Sequence, residues 1–276
     1  MNALTQLSRG ARFGGIFLTM LMIAGIIASL GLLDDGLAID ISRRLLAPSS
    51  AHWMGTDALG RDVLSLIFAG AASSLGIGLL SVLLGAAVGI PLGLVTAAKG
   101  GLISEAVSRG GDLIFAFPSL LLAVLLTAAL GPGAKTTILA IAVFNVPVFA
   151  RLVRGQCLSL MSRDFILAAR MSNRSTAAIA FDHLLPNVAG LIVIQVALQV
   201  SLAIVAESGL SYVGLGVQPP FASWGRMLAD AQSLVSVAPW LVAFPGSALM
   251  LAVLSFNLLA DAVSSRWSDR TPRLDA

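Results

Sequence analysis

The stretch ASSLGIGLLSVLLGAAVGIPLGLVTA, residues 72–97, carries no charged side chain. A helix of roughly 20 apolar residues crosses a hydrocarbon core, so this stretch reads as a membrane span. Comparable runs lie on either side of it, at about 14–33, 112–131, 136–157, 188–207 and 238–260. Composition agrees: 57% of the 276 residues are hydrophobic and 11% are charged. The mean hydropathy is +0.93. A soluble domain of this size needs more charge to cover its surface, and a membrane β-barrel would show short alternating segments. The expected fold is all-α and polytopic, with six transmembrane helices. Arg9 and Arg12 precede the first run, as in a signal peptide. That run is long for a signal and IIASLGLLDD is a poor cleavage site, so it reads as a retained helix.

Orientation follows from the basic residues, which concentrate on the cytoplasmic side. With the N-terminus inside, the inner segments hold Arg9, Arg12, Lys99, Arg109, Arg151, Arg154, Arg163, Arg170, Arg174, Arg266, Arg270 and Arg273. The outer ones hold Arg43, Arg44, Arg61, Lys135 and Arg226. Twelve against five puts both termini in the cytoplasm and makes 158–187 the largest inner loop. The net charge of +3 is then a topology signal and gives no reason to expect nucleic acid.

Within the spans, Gly85, Gly89 and Gly93 fall on one helix face, where small residues let two backbones approach. Packing inside the bundle is the expectation. Pro91, Pro118, Pro147 and Pro245 lie in or near spans and permit bends. Two outer segments are long, 34–71 and about 208–237. Trp53, Tyr212 and Trp224 in them suit either a membrane interface or the docking of an external partner. Lone Cys157 excludes an intrachain disulfide and reads as a packed thiol.

Catalytic chemistry finds little footing. His52 is placed outside and His183 inside, so they cannot share a metal. LGPGAKTT, residues 130–137, lacks the Gly-Lys-Thr order of a phosphate loop. Asp112, Glu207, Asp230 and Asp261 are expected at span ends, within reach of water, which leaves no buried carboxylate for proton coupling. The polar groups in mid-span are amides: Asn145, Gln195 and Gln199. Gln195 and Gln199 share a face; they line a polar pathway or bond a neighbouring helix, and both readings stand.

One inner segment breaks the apolar pattern: RDFILAARMSNRSTAAIAFDHLLPN, Arg163 to Asn187. Residues 164–171 and 176–185 read as two short helices around SNRS. Ile179 and His183 share a face, and Pro186 is expected to end the second helix. Such a segment is either a handle gripped by a soluble partner or an amphipathic helix on the membrane surface.

The segment resembles the coupling region of ABC importer permeases, the loop that docks into the ATPase subunit. In the peptide and nickel branch that pattern is similar to D-Y-V-E-A-A-R-x-x-G followed by H-x-L-P-N. This chain has Asp164, Phe165, Ile166, Ala168, Ala169 and Arg170, then His183, Leu185, Pro186 and Asn187. Leu167 replaces the usual Glu and Asn173 the usual Gly. Asn is the next best residue in a left-handed position. HWMGTDALGRDVLSLIFAG (52–70), AESGLSYVGLGVQPPFASWGRML (206–228) and FPGSALMLAVLSFNLLADAV (244–263) resemble further motifs of the same permeases, in the same order.

The resemblance implies a type I importer permease fold in a bacterial inner membrane. Residues 1–71 would form a first helix and external segment, 72–262 the permease domain, with coupling helices at 164–186, and 263–276 a cytoplasmic tail. It implies no catalysis by this chain, and ATP and Mg held only on partner subunits. The implied partners are a homologous permease, two ABC ATPase subunits or domains, membrane lipid and an external substrate-binding protein. Ile179 joins the coupling residues. Trp53, Asp57, Arg61, Gln218 and Trp224 are the implied docking residues for the binding protein. Short peptides are the expected cargo, with nickel or a nickel chelate as the alternative. An ATP-independent carrier is the rival from another class; it lacks visible repeats.

Overall fold

A computed structural model describes residues 9–32 and 34–268. Arg270 and Arg273, counted above on the inner side, lie outside the described residues, as do 1–8 and 269–276. The described chain is helical: α1 (Arg9–Ser29), α2 (Asp34–Leu37), α3 (Val63–Lys99), α4 (Gly101–Phe115), α5 (Ser119–Leu130), α6 (Ala134–Leu160), α7 (Asp164–Met171), α8 (Thr176–Ile179), α9 (Leu185–Tyr212), α10 (Trp224–Ala231) and α11 (Trp240–Ser268).

Helix α3 is the central element and packs on α1, α6 and α9. Asp62 caps its start, accepting from the Ser65 N–H at 3.0 Å, which satisfies one orphan donor. At 37 residues it is roughly 55 Å long, so it projects well beyond a ~30 Å hydrocarbon core. Its glycine face does meet another helix of the bundle. A methyl group added at Gly85 would overlap Asn145, and one at Gly89 would overlap the Val146 carbonyl. At Gly93 it would lie 2.7 Å from the Ala150 carbonyl oxygen. The seam is therefore α3 on α6, with Phe149 and Val153 filled in beside it. Helix α1 leans on α11 where Gly14 faces Ser255, and on α3 where Gly25 faces Ala72.

Five helices are long and apolar enough to span: α1, α3, α6, the continuous run from Thr176 to Tyr212, and α11. The sixth expected span, 112–131, is not one straight helix. It belongs to a pair, α4 and α5, bent by 87°. Pro118 is the physical reason. It has no N–H to continue a helix and disfavours helix at the residue before it, and α5 starts immediately after it. Helix α5 alone, at 12 residues, reaches only about 18 Å. The boundaries at 71/72 and 262/263 fall inside α3 and α11, so neither marks a structural break.

The segment before α3 is a tight loop held by its own polar groups. Asp57 accepts from the Leu59 and Arg61 N–H groups at 2.9 and 2.8 Å and pairs with the Arg61 guanidinium at 2.7 Å. His52 Nδ1 lies 3.1 Å from Asp62 Oδ1. The Ser42 hydroxyl, donating to Asp40 at 2.6 Å, holds that carboxyl below its ordinary pKa. Gly60 has φ +78° and sits against the Asp40 carbonyl, where no side chain fits.

Candidate functional site

Helix α7 spans Asp164–Met171, the bounds expected from sequence. Asp164 lies in its first turn and Arg170 in its last, matching the helix dipole at each end. Asn173 follows with φ +56°, the left-handed conformation that ends the helix. Ser175 then caps α8, accepting from the Ala178 N–H at 3.1 Å.

Pro186 does not end the second helix, contrary to expectation. Residues Ala180–Leu184 form a π-helical turn, and the Leu185 N–H donates to the Ala180 carbonyl. The wider turn gives the proline ring room that an α-turn would deny it against the carbonyl four residues back. The chain thus runs from α8 through the π turn into α9 without a stop, with Asn187 Nδ2 donating to the His183 carbonyl at 2.7 Å. A displacement of α8 is therefore mechanically joined to a membrane span.

The apolar face expected to dock a partner points the other way. Ile179 is 5% exposed and packs with Ile166, Ala169 and Leu184 against Leu94, Ala97, Val153, Cys157 and Val188. These residues anchor the segment to the bundle. Cys157 is a packed free thiol within that anchor. The outward face carries Phe165, Leu167, Met171 and Phe181, with Ala168, Arg170 and Arg174 also exposed. Met171 is 89% exposed and Phe181 62%. Of this second apolar face the sequence reading named only Phe165 as a coupling residue; the i, i+4 spacing of Leu167 and Met171 was the further signal. His183 is half-buried and stacks edge-on against Phe165 at 6.4 Å, with Leu185 half-buried and Pro186 exposed beside it.

The mid-span amides separate into two places. Asn145 is buried in the α3–α6 seam, its Nδ2 donating to the Ile141 carbonyl at 2.9 Å while its Oδ1 has no partner. Gln195 and Gln199 line a cleft of about 340 Å³ between α9 and α11. Ser201 and Asn257 join them there, 3.3 Å apart, two polar groups the sequence reading left out.

Of the residues expected to dock an external protein, Trp53 is 74% exposed. Asp57 and Arg61 are engaged with each other and line a cleft of about 520 Å³ with Pro219, Phe221 and Arg226. Two loops far apart in sequence thus share one surface. Gln218 Nε2 donates to the Gly214 and Gly216 carbonyls and shapes its own loop. Trp224 is withdrawn from that surface: it is fully buried, its indole Nε1 donating to the Ile67 carbonyl at 3.0 Å. Glu207 also departs from expectation. It is fully buried, accepting from the Ser211 hydroxyl at 2.6 Å, with Ser74 and Ser223 beside it.

Comparison with known proteins gives a consistent picture. The family described as binding-protein-dependent transport system inner membrane component matches residues 89–269. A dipeptide transport system permease protein of Alkalihalophilus pseudofirmus is 39% identical over 264 residues, 95% of this chain and 87% of that protein. A glutathione transport system permease protein of Pectobacterium atrosepticum is 41% identical over 224 residues, 81% and 74% of the two chains. Among solved structures, an inward-facing conformation of the MetNI methionine ABC transporter superposes with a TM-score of 0.59 at 18% identity. It covers 75% of this chain and 96% of its own, a likeness of fold. The chain belongs to the family of binding-protein-dependent transport system inner membrane components, as a multi-pass protein of a bacterial inner membrane.

Proposed function

We propose that this chain is one permease subunit of an ATP-driven importer of short peptides. The observation that carries the mechanism is the unbroken path from α8 through the π turn into α9, beneath an exposed apolar face. A soluble ATPase that grips this face moves α9 directly through Phe181, which lies in the π turn, and indirectly through Phe165, Leu167 and Met171 on α7, which the 172–175 turn joins to α8. ATP and Mg belong to that partner, and this chain performs no hydrolysis. Both termini and the 158–187 loop lie in the cytoplasm, a placement the twelve-to-five charge asymmetry supports. A homologous permease completes the pathway, and an external binding protein docks over the cleft between the 52–62 loop and the 213–223 loop with α10.

Peptide cargo is supported by two relatives named for peptide substrates, a dipeptide and glutathione. Nickel has no comparable support. The amides of Gln195, Gln199 and Asn257 suit a peptide backbone, which presents the same donors and acceptors. The test is uptake by the assembled complex in proteoliposomes with ATP inside. Dipeptide accumulation that requires hydrolysis is the expected result. Uptake driven by a proton gradient without ATP would overturn the reading.

A further inference from the structure

One polar pocket serves neither the coupling segment nor the amide cleft. It lies over the start of α4, a helix of 15 residues whose N-cap is Gly100. Gly100 has no side chain to cap with, so the first N–H groups of α4 keep their partial positive charge. The cleft above them holds about 360 Å³ and is lined by Thr96, Ser104, Glu105, Ser108, Arg154 and Leu158.

Two of its polar groups are orphaned. Ser104 is only 5% exposed, and its Oγ has no hydrogen-bond partner. Other buried hydroxyls in this chain return their proton to the preceding turn, as Ser81 does to Ile77 and Thr127 to Ala123. Arg154 Nε is also buried without a partner. Leaving such groups unpaired is unfavourable, which points to a ligand. Arg151, three residues earlier, is engaged: it pairs with Asp112 at 2.7 Å and lies over the Phe115 ring. Glu105 is the one carboxylate at the cleft; it is exposed and faces Arg109 at 3.7 Å.

We propose that this cleft binds a phosphate group, carried by the headgroup of an anionic phospholipid. An uncapped helix start, a guanidinium and serine hydroxyls together are phosphate chemistry. The apolar surface beside them specifies lipid: Leu102 is 84% exposed and Ile103 is exposed, both in the first turn of α4. An acyl chain lies along them while the phosphate meets Ser104 and Arg154. The site has a mechanical consequence. Ala97, on its rim, packs with Val153, Ile166 and Ile179 in the anchor beneath α7 and α8. A bound headgroup braces the end of the bundle against which the coupling segment works.

The experiment uses the assembled permease complex, exchanged into bicelles of equal phosphatidylglycerol and phosphatidylcholine. Retained lipid is counted by native mass spectrometry. The wild type is expected to retain phosphatidylglycerol preferentially. Arg154→Gln, losing a charged hydrogen bond, should lower that preference about tenfold. Ser104→Ala should lower it less and adds no bulk, so it decides the matter if Arg154→Gln fails to assemble. Arg151→Gln should leave it unchanged. A second arm adds millimolar inorganic phosphate. Displacement of phosphatidylglycerol by free phosphate alone would overturn the lipid assignment; retention supports it. Equal retention of the two lipids by wild type, or undiminished phosphatidylglycerol in both Arg154→Gln and Ser104→Ala, would overturn the site.

Discussion

Arg174 Nη1 donates to Asp182 Oδ2 at 2.8 Å, clasping the turn after α7 to the π turn before α9. Both side chains are exposed, and an exposed ion pair is worth ~1 kcal/mol or less. Arg174→Ala should therefore leave the complex assembled and its unfolding temperature little changed. ATP-driven uptake should persist, with at most a modest loss. Loss of the ATPase from the purified Arg174→Ala complex would mean that the guanidinium itself is a docking group.

Met171 and Ile179 separate docking from folding. Burying one large apolar side chain stabilises a contact by roughly 1.5–3 kcal/mol. Met171→Asp places a charge on the outward face, so ATPase co-purification should fall sharply while the chain still accumulates in the membrane. Ile179→Asp places a charge inside the anchor with Ile166 and Val188, so the chain itself should become unstable. If Met171→Asp keeps a full complement of ATPase, the outward face is only a membrane-surface contact. The comparison is read by quantitative blotting of membranes and of the purified complex.

Much of this was legible because it is local. The bounds of α7 follow from Asp164, Arg170 and the left-handed Asn173, all within one stretch. The glycine face of α3 was legible from its spacing alone. What escaped depends on partners distant in the chain. Glu207 looked like a wetted span end, because its burial comes from Ser74 on α3 and Ser223 before α10. Trp224 looked like an interface aromatic, because its acceptor is the Ile67 carbonyl. The direction of Ile179 could not be read from amphipathicity, since α7 and the π turn carry apolar residues on two faces and only the packing with α3 and α6 chooses between them. The bend at Pro118 was foreshadowed by the proline, but its 87° angle is set by tertiary packing.

Gly89 should tolerate no side chain. Its missing Cβ is occupied by the Val146 carbonyl and lies 2.8 Å from Phe149 Cβ. Overpacking a tight interior costs ~1–3 kcal/mol. Gly89→Val should lower the unfolding temperature of the detergent-solubilised chain and reduce its yield. Gly76 on the same helix has open space around it, so Gly76→Ala should be neutral or slightly stabilising. Equal effects at the two positions would show that the α3–α6 seam is looser than drawn.

Glu207 should hold the 213–223 loop to the bundle. Its carboxylate accepts from Ser211 at 2.6 Å, and the Ser211 Oγ in turn accepts from the Val217 N–H at 3.0 Å. Ser74, beside the same carboxylate, accepts from the Trp224 N–H at 3.2 Å. One side chain thus orders hydroxyls that fix the middle of the 213–223 loop and the start of α10. Removing it strands buried polar groups, at a cost of roughly 1–3 kcal/mol for each one left unpaired. Glu207→Ala should accelerate hydrogen exchange at the Val217 and Trp224 amides and weaken the proposed docking of a binding protein over the cleft lined by Asp57 and Phe221. Glu207→Gln keeps an acceptor of similar size and should retain most of the protection. Amides in the α3–α6 seam, such as Phe149, should exchange at unchanged rates in both variants. Should Val217 and Trp224 stay protected in Glu207→Ala, the loop is held by Trp224 burial alone, and the carboxylate has some other task.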